Sequence, residues 1–305
     1  VLFLLGDAAM SLLTIFTPTF NRRNTLKACY ESLKNQDFLD FEWMIIDDGS
    51  SDDTESLIKS FNSDSPFKIQ YHYQKNQGKH TAWNKALSMC KNEFFMCLDS
   101  DDMLIPNCLS SLCSKDGYLN SIRNDEKIIG LRMNGINSKT KLPCSKYISD
   151  KPIIKSWFYE VAHEKYVGEK LDIFKTELLK KFYFPHKQGV KFIPESWMYS
   201  SVATSGYLFL YLPIAIGFFY FGDDEKKLTA TPILKHAEGH YIYRSHLLKV
   251  MRKTVWLVNP VYYLKTIVRF SQTAKACSKT FKERLEDSHD VLATTLSYLF
   301  GWVKL

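Results

Sequence analysis

The stretch Phe94-Phe95-Met96-Cys97-Leu98-Asp99-Ser100-Asp101-Asp102 runs from an apolar segment into three carboxylates within four positions. A short apolar run bounded by turn residues reads as a buried strand. Carboxylates gathered at its end repel one another unless a cation stands among them. Such oxygen ligands suit Mg²⁺ or Mn²⁺, ions that are usually held by one or two carboxylates together with substrate phosphates. A phosphate-bearing substrate is therefore expected. Taken alone, the same residues are equally an acidic turn with a helix cap, so the choice rests on what surrounds them.

Upstream, residues 12–16 form an apolar strand ending in Thr17-Pro18-Thr19-Phe20-Asn21-Arg22, and 25–33 carry Leu26, Cys29, Tyr30 and Leu33 at helical spacing. Residues 41–46 form a second strand, ending in Asp47-Asp48-Gly49-Ser50-Ser51-Asp52-Asp53, with a helix at 54–61. A third strand at 68–73, a helix at 81–90 and a fourth strand at 93–98 complete the alternation. Strands alternating with helices predict an α/β layer structure with a mostly parallel sheet. Ligands of such sheets bind beyond the carboxyl ends of the strands, so the three post-strand loops are expected to line one cleft. The chain has neither a glycine-rich phosphate loop nor a dinucleotide fingerprint, which argues against nucleoside-triphosphatase and hydride-transfer chemistry.

After residue 113 the pattern is less regular. A strand is expected at 128–133, a polar loop at 134–150, a helix at 173–179 and another at 196–203 behind Glu195. Residues 207–212 and 214–220 read as adjoining strands, and 241–252 as a helix. His163, His186, His236, His240 and His246 show no compact metal spacing.

Composition bounds the rest. The 305 residues are 45% hydrophobic and 24% charged, enough for a full core and against intrinsic disorder. Seven cysteines without a Cys-x-x-Cys pair disfavour a disulfide framework and a thiolate zinc site, which points to a reducing compartment. Residues 1–5 are apolar without a basic leader, which suggests a trimmed start rather than a signal peptide. The uncharged stretch 196–222 is divided by Ser, Thr, Gly and Pro213, so it is expected to fold rather than to span a bilayer. Residues 228–305 hold 12 Lys and Arg against 5 Asp and Glu. In that region Lys249, Arg252, Lys253, Lys265 and Arg269 are interleaved with Leu247, Leu248, Met251, Trp256, Tyr262 and Ile267. This mixture suits an anionic membrane surface better than nucleic acid.

Thr17 to Arg22, Ile45-Ile46-Asp47-Asp48-Gly49-Ser50-Ser51-Asp52, the turn Asn76-Gln77-Gly78-Lys79 with Ala82 and Asn84 behind it, and Asp99 to Asp102 resemble, in order and spacing, the family 2 glycosyltransferases. The resemblance is close over residues 12–110 and looser to about 225. It implies a GT-A type nucleotide-binding sandwich with a helical C-terminal extension. It also implies metal-dependent transfer of a sugar from a nucleotide-diphosphate sugar, with inversion, to a glycan or lipid-linked acceptor hydroxyl. By this resemblance Thr17, Pro18, Thr19 and Phe20 border the nucleotide, and Asp48 accepts a hydrogen bond from the base imide, while Asp47 is as well suited to holding its turn. A carboxylate acceptor there favours uracil or thymine over cytosine, whose ring nitrogen cannot donate. Lys79 approaches the phosphates or ribose, Asn84 holds its helix against the metal loop, and Asp99 with Ser100 contacts the ribose. Asp99, Asp101 and Asp102 hold Mn²⁺ or Mg²⁺.

Glu195, in Phe192-Ile193-Pro194-Glu195-Ser196-Trp197, is the expected general base, with Asp223 or Asp224 as a further acid facing the acceptor. Many family members have an adjacent Glu-Asp pair here, whereas this chain has Glu-Ser. A lone Glu before such a helix, with Lys170-Leu171-Asp172 upstream, resembles a subset of them. The expected organisation is a catalytic domain at 1–225, with donor and metal binding at 12–110 and the acceptor side at 111–225, followed by a basic helical extension at 226–305. A cytoplasmic enzyme, peripheral on the inner membrane face, follows from these readings. Two other classes remain: a nucleotidyltransferase, for which Thr17 to Arg22 lacks the glycines, and a non-catalytic carbohydrate-binding protein.

Overall fold

A computed structural model describes residues 10–220 and 232–299. Its strands are β1 (Leu13–Thr19), β2 (Phe41–Asp47), β3 (Lys68–Tyr73), β4 (Phe94–Cys97), β5 (Met103–Leu104), β6 (Ile128–Asn137), β7 (Ile153–Lys155), β8 (Lys170–Lys175) and β9 (Leu208–Phe219). All belong to one sheet in the order β3-β2-β1-β4-β8-β6-β9-β5, with β7 also on β9. The first four are mutually parallel, as expected. Beyond β4 the sheet is mixed: β8 runs antiparallel to β4 and β6, β9 lies parallel to β6, and β5 and β7 oppose β9.

Side chains alternate across the sheet because successive Cβ atoms point to opposite faces. Phe16, Met44, Ile46, Phe95 and Phe174 share one core with Trp83 and Leu87 of the helix Lys79–Met89. Ile15, Ile45, Met96 and Ile173 share the other with Leu26 and Leu33 of the helix Arg23–Lys34. Both faces are covered, so β1 and β2 are buried almost throughout, as a parallel sheet requires.

Two local expectations change. The segment 173–179 is not one helix: Lys170–Lys175 is a strand, and only Thr176–Leu179 is helical. Ile173 packs into one core and Phe174 into the other, a period of two that a short apolar run does not reveal by itself. The two strands expected at 207–220 are a single long one. Its pairing with β6 shifts register between Arg132↔Tyr211 and Asn134↔Ala215, around Pro213, which has no N–H for the ladder.

The C-terminal helices Ala237–Val258 and Pro260–Ala276 complete the first core through Tyr241, Leu247, Leu248, Ile267 and Phe270. Leu247, Leu248 and Ile267, read as membrane-facing, therefore point inward, and Tyr262 is half-buried. The side chains of Met251 and Trp256 lie outside the described set, as do residue 225 and Asp223 and Asp224. Gly239 fixes the approach of the first of these helices: a Cβ there would stand 1.6 Å from the carbonyl oxygen of Phe192. That contact seats the helix on the segment leading to Glu195. No described helix is long and apolar enough to cross a membrane.

Candidate active site

The loops after β1, β2 and β4 meet at the carboxyl edge of the sheet, where they and the segments carrying Arg132, Glu160, Asp172 and Glu195 enclose a cavity of about 880 Å³. That volume lies in the range of small-ligand sites. Pro18, Thr19 and Phe20 line it, and Phe20 is 47% exposed, so it belongs to the cleft rather than to the core. Thr17 faces inward instead. It is fully buried, and its hydroxyl accepts a hydrogen bond from Trp43 Nε1 at 2.9 Å, which ties β1 to β2. Asn21 takes a left-handed conformation, φ 52°, which asparagine tolerates better than most residues. Its N–H donates to Ser50 Oγ and its Oδ1 accepts from the Ser51 N–H, both at 2.8 Å, so the first two loops are clasped together.

Asp47 holds its own turn, accepting from the Ser50 N–H at 2.8 Å and from the Tyr71 hydroxyl at 2.9 Å. Asp48, also buried, accepts from Gln74 Nε2 at 2.8 Å and from the N–H groups of Gln77 at 2.9 Å and Gly78 at 2.7 Å. A carboxylate has about four acceptor positions, so roughly one remains for a ligand. Gly78 is held rather than flexible: its φ is +98°, and a Cβ would stand 1.9 Å from the Lys191 carbonyl oxygen. It starts the helix that places Lys79 in the cleft.

The Lys79 ammonium stands 2.7 Å from the Asp99 carboxylate and 2.6 Å from Glu195 Oε1. Burial alone would lower its pKa, but Asp99 and Glu195 outweigh that and hold it well above the ordinary lysine value. Oxygens of Asp99, Asp101 and Asp102 lie within 4.8 Å of one another. Arg22 is 3.9 Å from Asp101. Asp102 is buried, accepts the Tyr220 N–H at 3.1 Å, and has its pKa pushed well up by burial and then by Asp99 and Asp101. Ser100 lines the same cavity. Glu195 begins the helix Ser196–Thr204 without capping it through its side chain, which reaches Lys79 instead. Asn84 departs from expectation: it exchanges two hydrogen bonds, at 2.8 and 2.9 Å, with the backbone of Phe184 and so anchors that segment rather than the metal loop.

Of the inner wall, the sequence marked only Lys170-Leu171-Asp172, and not the partners of that segment. Arg132, on β6, pairs Nε with Glu160 Oε2 at 2.8 Å and Nη1 with Asp172 Oδ2 at 2.5 Å. Its guanidinium lies 4.4 Å from the centre of the Tyr199 ring, whose hydroxyl donates to the same Asp172 oxygen at 2.5 Å. Lys170 stands 3.4 Å from Glu160. Burial, only partly offset by Arg132 and Tyr199, raises the Asp172 pKa. One signal was available: an arginine inside the apolar run Ile128-Ile129-Gly130-Leu131-Arg132-Met133, since a buried charge needs partners. Among the described residues seven buried side-chain polar atoms lack a hydrogen-bond partner, and five of them belong to Thr19, His80, Trp83 and Asp172, which line this cavity. Buried polar atoms are normally satisfied, so their concentration here marks a place for polar ligand or water.

Residues 14–116 match the family model described as Glycosyl transferase family 2. The GalNAc(5)-diNAcBac-PP-undecaprenol beta-1,3-glucosyltransferase of Campylobacter jejuni is 34% identical over 175 residues, 56% of this chain and 54% of that protein. The chondroitin synthase of Escherichia coli is 36% identical over 102 residues, 33% of this chain and 15% of the synthase. The chain thus spans about half or less of the length of these relatives. Among solved structures, S. aureus TarS 1-349 in complex with UDP-GlcNAc aligns with a TM-score of 0.57 at 16% identity, over 94% of this chain and 89% of that one. The mannosyltransferase PcManGT from Pyrobaculum calidifontis, in complex with GDP-Man and Mn2+, gives 0.54 at 17% identity, over 95% and 79%. At these identities the structures establish the shared GT-A fold. With the ordered motifs on their expected loops, residues 14–116 carry a domain of glycosyl transferase family 2.

Proposed function

We propose that this chain transfers a sugar from a nucleotide-diphosphate sugar, a UDP-sugar in preference, to a hydroxyl of a glycan or lipid-linked acceptor, with inversion and with dependence on Mn²⁺ or Mg²⁺. The observation that carries this reading is the meeting, in one cavity, of the Asp99-Asp101-Asp102 cluster, Lys79 and Glu195 from three distant segments. Pro18, Thr19 and Phe20 border the nucleotide, and the remaining acceptor position of Asp48 is offered to a base N–H. The donor set suits a hard divalent ion, because it is all oxygen and its buried member, Asp102, is crowded by like charges. Held by Asp99, Asp101 and Asp102, such an ion would offset the charge that grows on the leaving diphosphate. Glu195 Oε accepts the proton of the attacking acceptor hydroxyl, on the side opposite the leaving group.

Support for a lipid-linked acceptor comes from the C. jejuni relative, whose name specifies an undecaprenol-linked substrate, and from one corner of the C-terminal helices. Leu257, Val261 and Leu264 are 80%, 59% and 43% exposed there, beside the exposed Lys265. Their neighbour Tyr262 lines the cavity, so that corner adjoins it. Activity at the cytoplasmic face of a membrane fits this arrangement. The test is a donor panel with undecaprenyl-diphosphate-linked and free oligosaccharide acceptors, read by mass spectrometry for sugar gain and nucleotide release. Transfer from a UDP-sugar with an inverted anomeric centre is expected. Cleavage of a nucleoside triphosphate without sugar transfer would instead assign the site to a nucleotidyltransferase.

A further inference from the structure

Lys79 stands where its charge closes the site. Its backbone is fixed, because Asp48 accepts the Gly78 N–H and Gly78 is pressed against the Lys191 carbonyl. Its ammonium bridges two carboxylates that belong to different tasks: Asp99 of the aspartate cluster at 2.7 Å and Glu195 at 2.6 Å. All three side chains remain open to the cavity, at 21%, 37% and 38% exposure.

We propose that Lys79 is a counter-ion gate. In the donor-free enzyme it neutralises Asp99 and Glu195 together, and on donor binding it swings to the diphosphate. This inference rests on the glycosyltransferase reading of the cavity.

Electrostatics drives the exchange. An ammonium and a divalent cation on the same carboxylate are like charges a few ångström apart in a half-buried cleft, so they compete for Asp99. A lysine is a compact point charge on a flexible four-carbon stem, so it can change partners while its backbone stays in place. Nucleoside diphosphate offers the new partner. Leaving the bridge frees Asp99 for ribose and metal, and it also releases Glu195 from an ion pair that occupies one of the oxygens needed to accept a proton. The base is thereby armed only when donor is present, which makes donor binding precede acceptor deprotonation.

The test measures Mn²⁺ alone, by the free-ion EPR signal, and UDP with Mn²⁺, by calorimetry, on the full chain. Lys79→Gln should bind Mn²⁺ without nucleotide about tenfold more tightly than the wild type, and UDP with Mn²⁺ about tenfold more weakly. These opposite signs separate a gate from a structural lysine, whose loss would weaken both or neither. Lys79→Arg, which keeps the charge, should leave Mn²⁺ affinity near wild type. The double variant Lys79→Gln/Glu195→Gln should keep the gain in Mn²⁺ affinity while removing the exposed repulsion between the carboxylates, and so covers the case in which the single variant folds poorly. Unchanged or weaker Mn²⁺ binding by both neutral variants, or an equal gain by the arginine variant, would overturn the gate. Failure of the wild type to bind UDP with Mn²⁺ would instead count against the glycosyltransferase reading, and the Mn²⁺ comparison would still decide whether Lys79 and the cation compete for Asp99.

Discussion

The two halves of the cavity are built by opposite means. Around the three post-strand loops, carboxylates lie on short turns that follow parallel strands and accept from backbone N–H groups: Ser50 for Asp47, Gln77 and Gly78 for Asp48, Tyr220 for Asp102. On the acceptor side, charges come from β6, β8 and a short helix and satisfy one another inside the protein, as Arg132 does with Glu160 and Asp172. In the first arrangement Lys79 and Arg22 meet the anionic cluster at its rim. It is complementary to a cation and a diphosphate. The second is neutralised in place, so it serves as a rigid wall.

The largest expected effect breaks that contrast on the side of stability. Arg132→Met should lower the unfolding free energy by about 3–5 kcal/mol, since it strands Glu160 and Asp172 in the interior. Asp101→Asn should cost little stability, because relief of the repulsion from Asp99 and Asp102 is set against the loss of its Arg22 contact. Paired denaturant titrations of the two variants check this. An Arg132 variant as stable as the wild type would show that the wall is not held by its ions.

On turnover, the halves should separate cleanly. Glu195→Gln should reduce transfer by about 10²-fold or more without weakening UDP binding, the usual scale for a positioned general base. Steady-state kinetics alongside calorimetry reads both quantities. Near-normal transfer would assign proton removal to another acid of the cavity.

What the sequence made legible follows the same division. Each of these loops is a short local stretch after a strand, so reading the chain in order was enough to expect Asp48, Lys79 and Asp99 to Asp102 at the one cavity they line. Their orientation was less accessible: Thr17 lies one residue before the cavity-lining Pro18 yet points to Trp43, because alternation along β1 turns it inward. The acceptor wall joins residues 40 positions apart, Arg132 and Asp172, through strands whose antiparallel pairing is not written locally. The membrane reading of the C-terminal region treated every apolar residue alike. Packing sorts them, with Leu247, Leu248 and Ile267 in the core and Leu257, Val261 and Leu264 outside.

Acid should loosen the packing around three histidines, His80 at the cavity and two on the C-terminal side. His240 and His246, on the helix Ala237–Val258, have pKa values pushed down to about 4 by burial and then by Arg244 and Lys249 respectively. A folded-state value below the unfolded one means that their contribution is fully present above about pH 6.5 and is lost as pH falls toward 4. Asp102 works in the opposite sense, because its raised pKa makes protonation easier in the folded state. Melting midpoints should therefore fall between pH 6.5 and 4, and His240→Gln/His246→Gln should flatten that slope. An unaltered slope would place the acid-sensitive groups elsewhere.

The smallest effect concerns the exposed corner. Val261→Ser/Leu264→Ser should reduce flotation with anionic vesicles at low salt while leaving turnover on a soluble acceptor unchanged. Equal flotation of variant and wild type would remove the corner from the membrane reading.

Titration calorimetry with UDP decides whether the three post-strand loops form a metal-dependent donor site. Binding is expected in Mn²⁺ and should be largely lost in excess chelator, with Asp101→Asn resembling the chelated wild type even when Mn²⁺ is present. Equal UDP affinity with and without the ion would contradict such a site.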